Sequence, residues 1–363
     1  MMNDLSADNL SQRAIADGNF TGGKTANPAW YRTTAKYGRP NLRKSLWQMI
    51  NTLIPYGLLW ALMIHTIQGA YPYWVTLALA FVAGGVLVRI FILFHDCCHG
   101  SFFKSRRANT LLGYVTGILT FTDFEDWRHA HNRHHATAGD LDRRGVGDIW
   151  TMTTGEYLAA SRWKRLAYRI YRNPFVLFGP GAALLFLCFQ RLPKKGAGKR
   201  AEKSVLMTNS ALLLIVAAAS FTMGLETYLL IQLPIILVGG ALGLWLFYIQ
   251  HQFENAYWVR HASWDPMEVA LAGSSYFKLP KILQWFTGNI GLHHVHHVRP
   301  TIPNYNLQRC HDEIAPLRTI KAMTLKSSIG SLWLALYDET GRKLVGFSSV
   351  TRSTCYYDRN PIV

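Results

Sequence analysis

The chain has 363 residues, of which 50% are hydrophobic and only 16% charged, with a formal net charge of +17. A soluble domain carries about 25% charged residues, and here the apolar residues gather in long blocks with Lys and Arg between them. That pattern excludes an ordinary soluble domain and favours a membrane protein over a nucleic-acid binder, so no nucleic-acid partner is expected.

Residues 1–44 are polar and rich in Gly, Ser and Asn, with no early apolar core, so no cleavable signal is expected. They are read as a cytoplasmic N-terminal segment, partly disordered. Residues 45–363 form the expected membrane domain. A hydrocarbon layer of ~30 Å takes about 20 helical residues, and four stretches meet that length, at about 46–64, 71–94, 205–223 and 227–249. The loops at 65–70 and 224–226 hold no Lys or Arg, whereas 104–203 is dense in both. Basic loops stay inside, which predicts two hairpins in the inner (plasma) membrane and a helical cytoplasmic cap of residues 95–204 and 250–363. The fold class expected is all-α, integral to the membrane. Two shorter apolar stretches, 111–121 and 174–189, are read as interfacial or re-entrant. A crossing by the second would export a basic run and separate the histidine clusters. The five cysteines (Cys97, Cys98, Cys188, Cys310, Cys355) show neither CxxC nor paired spacing, which fits a reducing, cytoplasm-facing location.

Histidines carry the chemistry. His95 and His99 follow the second span; His131, His134 and His135 lie in the central region; His293, His296 and His297 follow the fourth span. On a helix, positions i, i+3 and i+4 share a face, so each cluster presents converging imidazoles, a metal-ligand arrangement. His251, at the cytoplasmic end of the fourth span, is added as a ninth ligand. His65, His261 and His311 are read as ordinary interfacial residues, and His129 and His294 as off the ligating faces. Cys97 and Cys98 are read as helix packing. Metal-bound imidazoles commonly lean on a carboxylate; Asp96 and Glu254 are singled out for their nearness to ligands in sequence. Eight or nine histidines suit two metals, and imidazole suits Zn, Cu and Fe alike. No H-E-x-x-H or G-x-S-x-G string points to hydrolysis. Beside apolar spans, attack on an unactivated C–H bond with dioxygen makes iron the sensible metal.

The strings H-D-x-x-H, H-x-x-H-H and H-x-x-H-H, in this order around two hairpins, resemble the membrane-bound fatty acid desaturases, most closely bacterial acyl-lipid enzymes of the Δ12/ω-6 or Δ5 type. The likeness extends to Gly139-Asp-Leu-Asp-Arg-Arg-Gly-Val-Gly-Asp148, to Gly273-Ser-Ser-Tyr-Phe-Lys-Leu-Pro-Lys281, to Gly288-Asn-Ile-Gly291 and to Pro303-Asn-Tyr-Asn306. The departures are the extra His294 and the Cys97–Cys98 pair. The resemblance implies oxygen-dependent desaturation of a lipid-linked fatty acyl chain, with O2 as co-substrate. It implies two Fe ions on His95, His99, His131, His134, His135, His293, His296 and His297, with His251 as the extra ligand. It also implies an acyl tunnel in the cytoplasmic domain. The chain lacks the H-P-G-G string of a fused haem domain, so electrons are expected from an external ferredoxin-like donor, drawn to the basic face. The rival readings are a membrane diiron hydroxylase of alkyl, sterol or carotenoid substrates and, more remotely, a metal transporter.

Overall fold

The computed structural model describes residues 27–349 apart from 195 and 197. In chain order the elements that build the site are α1 (Leu42–Gln68), α2 (Tyr73–Cys98), α3 (Arg106–Leu119), α4 (Phe124–Thr137), α5 (Gly198–Thr222), α6 (Leu225–His251), α7 (His293–Val298) and α8 (Asn304–Glu313). α1, α2, α5 and α6 have 25 to 27 residues each, or roughly 38–40 Å at 1.5 Å per residue, enough to cross a bilayer.

α1 shows which way these helices face. Trp47, Ile50, Ile54, Leu58 and Leu62 are exposed at i, i+3 and i+4 spacing, while Ser45, Gln48, Thr52 and Tyr56 on the other side are buried. A water-soluble helix does the reverse. Its start is set by Asn41, whose side chain accepts from the Lys44 N–H at 3.1 Å. α2 is the most buried of the apolar helices and packs against α1, α3 and α6. Its contact with α6 depends on glycine: a Cβ on Gly84 would lie 2.6 Å from Val238, and one on Gly239 would lie 2.9 Å from Leu87. Small residues at such a crossing let two backbones approach in lipid, where dispersion replaces the hydrophobic drive.

A fifth stretch, Pro174–Arg191, is also apolar and long enough to cross. It is not one helix. It breaks at Gly179 and again at Cys188 into the pieces Pro174–Phe178, Pro180–Leu187 and Phe189–Arg191.

Among the described residues the polar side holds the short helices and five short strands, and the fold is mostly helical as expected. Met152–Thr153 pairs in parallel with Leu336–Asp338, which pairs antiparallel with Lys343–Val345. Tyr276–Phe277 pairs in parallel with Ala322–Met323. The two parallel pairings join segments distant in sequence, so single-sequence periodicity carries no sign of them; the antiparallel pair is a local hairpin. Of the 1–44 segment expected to be partly disordered, residues 1–26 lie outside the described residues. Residues 29–38 are helical, with Tyr31 and Tyr37 packed against Ile302 and Leu307. Tyr37 donates to Glu313 at 2.6 Å, and Arg299 donates to Thr34 at 2.7 Å.

Candidate metal centre

Four helices deliver the histidines to one place. α2 carries His95 in its last turn, with His99 as its C-cap; α6 ends on His251. α4 carries His131, His134 and His135, and α7 carries His293, His296 and His297. α4 starts at Asp123, whose side chain accepts from the Asp126 N–H at 2.8 Å. Glu125 and Asp126 in its first turn complement the helix dipole.

The nine imidazoles form two groups. His95, His99, His131, His135 and His296 make the first; His134, His251, His293 and His297 make the second, and within each group the ligand atoms lie within 4.8 Å of one another. Neighbours in sequence are divided between them. His134 and His135 are about 100° apart on α4 and serve different groups, as do His296 and His297 on α7. Each helix thereby holds the two groups side by side.

A single carboxylate supports each group from behind. Asp96 Oδ1 lies 3.2 Å from His95 Nδ1, while its Oδ2 accepts from the Asn304 backbone N–H at 2.7 Å and side chain at 2.9 Å. The second carboxylate is Asp148, whose Oδ1 lies 2.5 Å from His134 Nδ1. Gly147 brings it there: its φ is +74°, and a Cβ would lie 2.7 Å from the Ala130 carbonyl and 3.2 Å from His134. Only glycine takes that backbone and that contact without strain. His251 Nδ1 donates to the Gly273 carbonyl at 3.0 Å. In all three, a proton on Nδ1 leaves the Nε2 lone pair free toward the group.

These inner nitrogens have no ordinary partner. The Nε2 atoms of His95, His99 and His297 are buried without a hydrogen bond. Other Nε2 atoms face one another at 3.0 Å (His134 and His251, His251 and His293, His135 and His296) and at 3.1 Å (His131 and His135). Burial, reinforced by mutual repulsion among the imidazoles, holds His99, His131, His135, His293, His296 and His297 well below the usual imidazole range. Neutral imidazole is the ligating form. Leaving such buried nitrogens unpaired costs ~1–3 kcal/mol each, and a cation between them removes that cost. The residues fit two divalent ions bound through nitrogen.

The expectations for the surrounding residues fare unevenly. Asp96 stands beside His95. Glu254 does not reach a histidine: its side chain is 64% exposed and its carboxylate lies 4.0 Å from Lys343. It follows α6 by three residues, but the chain has already turned outward there. Asp148, one of many carboxylates in the central region, carries no local signal that separates it from the rest. His311 is buried rather than interfacial, with Nδ1 3.1 Å from His294 Nε2. His261 pairs with Asp140 at 2.7 Å. Cys97 and Cys98 pack with Phe94, Phe102 and Leu112 and belong to neither histidine group.

An apolar cavity of about 560 Å³ adjoins the centre. His131 and Asp148 line it at the centre; Leu87, Ile236 and Gly243 of α2 and α6, with Leu184 of the broken stretch, line its walls. It reaches from the polar side, where Trp127, Ala130, Ile149 and Tyr171 also line it, to the apolar helices. The 174–191 stretch, broken at Gly179, packs against α6 beside the cavity; Phe186 lies 3.1 Å from where a Cβ on Gly240 would stand.

Long apolar helices ending at paired clusters of imidazoles define a membrane protein with a site able to hold metal. The family described as fatty acid desaturase matches residues 72–323. A fatty acid desaturase of Bacillus subtilis (strain 168) is 46% identical over 319 residues, 88% of this chain and 90% of that protein. An sn-1 oleoyl-lipid 12-desaturase of Synechocystis sp. (strain ATCC 27184 / PCC 6803 / Kazusa) is 24% identical over 67% of this chain and 70% of its own. An sn-1 acyl-lipid omega-3 desaturase (ferredoxin) of Nostoc sp. (strain 36) is 25% identical over 77% of each chain. The chain belongs to the fatty acid desaturase family and is an enzyme of that kind.

Proposed function

We propose that this desaturase inserts a double bond into a lipid-linked fatty acyl chain, using dioxygen and a pair of irons held by the nine histidines. The observation that carries the reading is the two groups of converging, largely buried imidazoles opening on an apolar cavity. Iron bound there would supply the redox chemistry, in which O2, two hydrogens of the chain, two electrons and two protons become two waters. The protein's own part is positional. Asp96 and Asp148 fix ring orientation, Trp127 stacks on His131 at 4.4 Å between centroids, and the apolar walls hold the chain and exclude water. The acyl-lipid names of the cyanobacterial relatives support a lipid-linked substrate, and the ferredoxin in two of them supports an acidic electron carrier. The +17 charge suits such a donor.

Four crossings are the reading with most support. α2 and α6 both end at the metal centre, so they run parallel, and one crossing between them, α5, satisfies that parity. A crossing by 174–191 as well would turn α6 round. That stretch is therefore re-entrant, and the basic segments around the centre favour the cytoplasmic face of the plasma membrane.

The test is expression in a host without desaturases, followed by gas chromatography–mass spectrometry of its lipids. New double bonds on the host's acyl lipids are expected, with two irons in the purified protein. Hydroxylated chains alone would overturn desaturation and favour a hydroxylase; metal uptake with unchanged fatty acids would favour transport.

A further inference from the structure

The Arg162–Tyr171 helix reads Arg-Trp-Lys-Arg-Leu-Ala-Tyr-Arg-Ile-Tyr and starts at Ser161, whose hydroxyl accepts from the Lys164 N–H at 3.3 Å. At 100° per residue, Trp163, Leu166, Ala167 and Ile170 fall on one face. That face is turned away from the protein: Trp163 is 67% exposed, Leu166 48% and Ile170 52%, and Phe175 just beyond is 78% exposed. On the other side Tyr168 is buried. Tyr168 donates to the Ala335 carbonyl and accepts from the Met152 N–H at 3.0 Å. Arg172, the C-cap, donates to Tyr248 at 2.8 Å and to Gln252 at 2.9 Å.

Those last two bonds set the depth of the helix. Tyr248 and Gln252 bracket His251, the residue on which α6 ends. The helix therefore lies level with the end of a spanning helix, where hydrocarbon gives way to headgroups. Arg162 and Lys164 project on either side of the apolar face, about 100° from Trp163. Neither pairs with a carboxylate among the described residues, and the helix contains no acid. Arg162 packs over the Trp163 ring, 5.2 Å from its centroid, which leaves its N–H groups without a carboxylate; an outward apolar face flanked by such cations at this depth has the chemistry of a helix lying in the plane of an anionic lipid surface.

We propose that the Arg162–Tyr171 helix binds anionic phospholipid, with Trp163, Leu166 and Ile170 among the acyl chains and Arg162 and Lys164 on the phosphates. The helix leads directly into the 174–191 stretch, so this contact anchors the wall of the acyl cavity. The inference requires that the long helices cross a bilayer; it does not depend on which product is made.

The experiment uses the full chain with p-benzoylphenylalanine in place of Trp163, reconstituted in nanodiscs of equal phosphatidylglycerol and phosphatidylcholine. Photo-adducts are identified by mass spectrometry. Lipid adducts are expected, with phosphatidylglycerol over phosphatidylcholine by about five-fold for each cation engaged. Arg162→Gln with Lys164→Gln is expected to retain lipid adducts and bring the ratio close to one. Both positions are exposed, and an unchanged melting temperature shows that the fold survives. Adducts confined to protein, or equal labelling of the two lipids with Arg162 and Lys164 intact, would overturn the proposal. Neither result bears on the double bond, which the host's lipids report separately.

Discussion

Asp148 and Asp96 offer a way to unload one half of the centre at a time. Asp148→Asn keeps the shape of the side chain but removes the charge that steadies His134 from 2.5 Å. Loss of a carboxylate behind a ligating imidazole weakens metal binding by about 10–100-fold, which is roughly 1.4–2.8 kcal/mol at 1.4 per tenfold. Because His134 belongs to the group of four and not the group of five, the loss falls on one ion. Asp96→Asn should unload the other. It should also cost more stability, because Asp96 additionally receives two hydrogen bonds from Asn304, each worth ~1.5–3 kcal/mol to a charged acceptor. Asp148, by contrast, receives only a 3.3 Å contact from the Gly145 N–H besides His134. The assay is iron content by plasma mass spectrometry during chelator titration, alongside melting temperature. We expect an intermediate with one iron per chain in either single variant and none in the double variant. Combining Asp148→Asn with His251→Ala should remove no more iron than His251→Ala alone. If Asp148→Asn releases both irons together, or holds both as tightly as the unaltered chain, the division into two supported groups is wrong.

Other outcomes follow from the same geometry. His131→Ala or His296→Ala, each removing a ligand from the group of five, should abolish product while leaving membrane insertion intact; full activity in either would refute the ligand assignment. A Cβ on Gly243 would meet no atom within 4 Å, and Gly243 lines the cavity, so Gly243→Leu should fold normally and project into the acyl space. Competition between short and long acyl chains should then shift toward the shorter by about 10-fold or more, since one or two displaced methylenes are worth that much in an apolar pocket. An unaltered chain-length profile would place the substrate elsewhere. For the metal-free protein, the histidines held below the usual range bind protons in the unfolded chain before the folded one. Stability is therefore complete above about pH 6.5 and falls as pH drops below it, by up to ~1.4 kcal/mol per pH unit for each such group. Melting temperatures in detergent between pH 8 and 5 measure this, and a flat profile would contradict the burial of neutral imidazoles.

Much of the centre could be read locally because the helix pitch fixes it. Spacings of three and four residues put His131 and His135, or His293 and His297, on common faces whatever surrounds them. Hydropathy located the four long helices but not their ends. α1 begins at Leu42 and α5 at Gly198, several residues before the apolar blocks, because polar turns continue a helix without adding to its hydropathy. Where spacing stopped, so did the reading. Asp148 and Glu254 are both acidic residues near histidines in the chain, yet one touches His134 and the other lies out beside Lys343.

Alone, the chain determined which residue types are offered, on which helical faces, and next to which apolar spans, because these depend on bonds and turns a few residues long. The tertiary structure decided the partition of nine histidines into five and four, the carboxylate behind each group, the break at Gly179 and the cavity beside it. They rest on contacts such as Asp148 with His134 and the close approach of α2 and α6 at Gly84 and Gly239. Such contacts arise between segments far apart in sequence, and no local period encodes them.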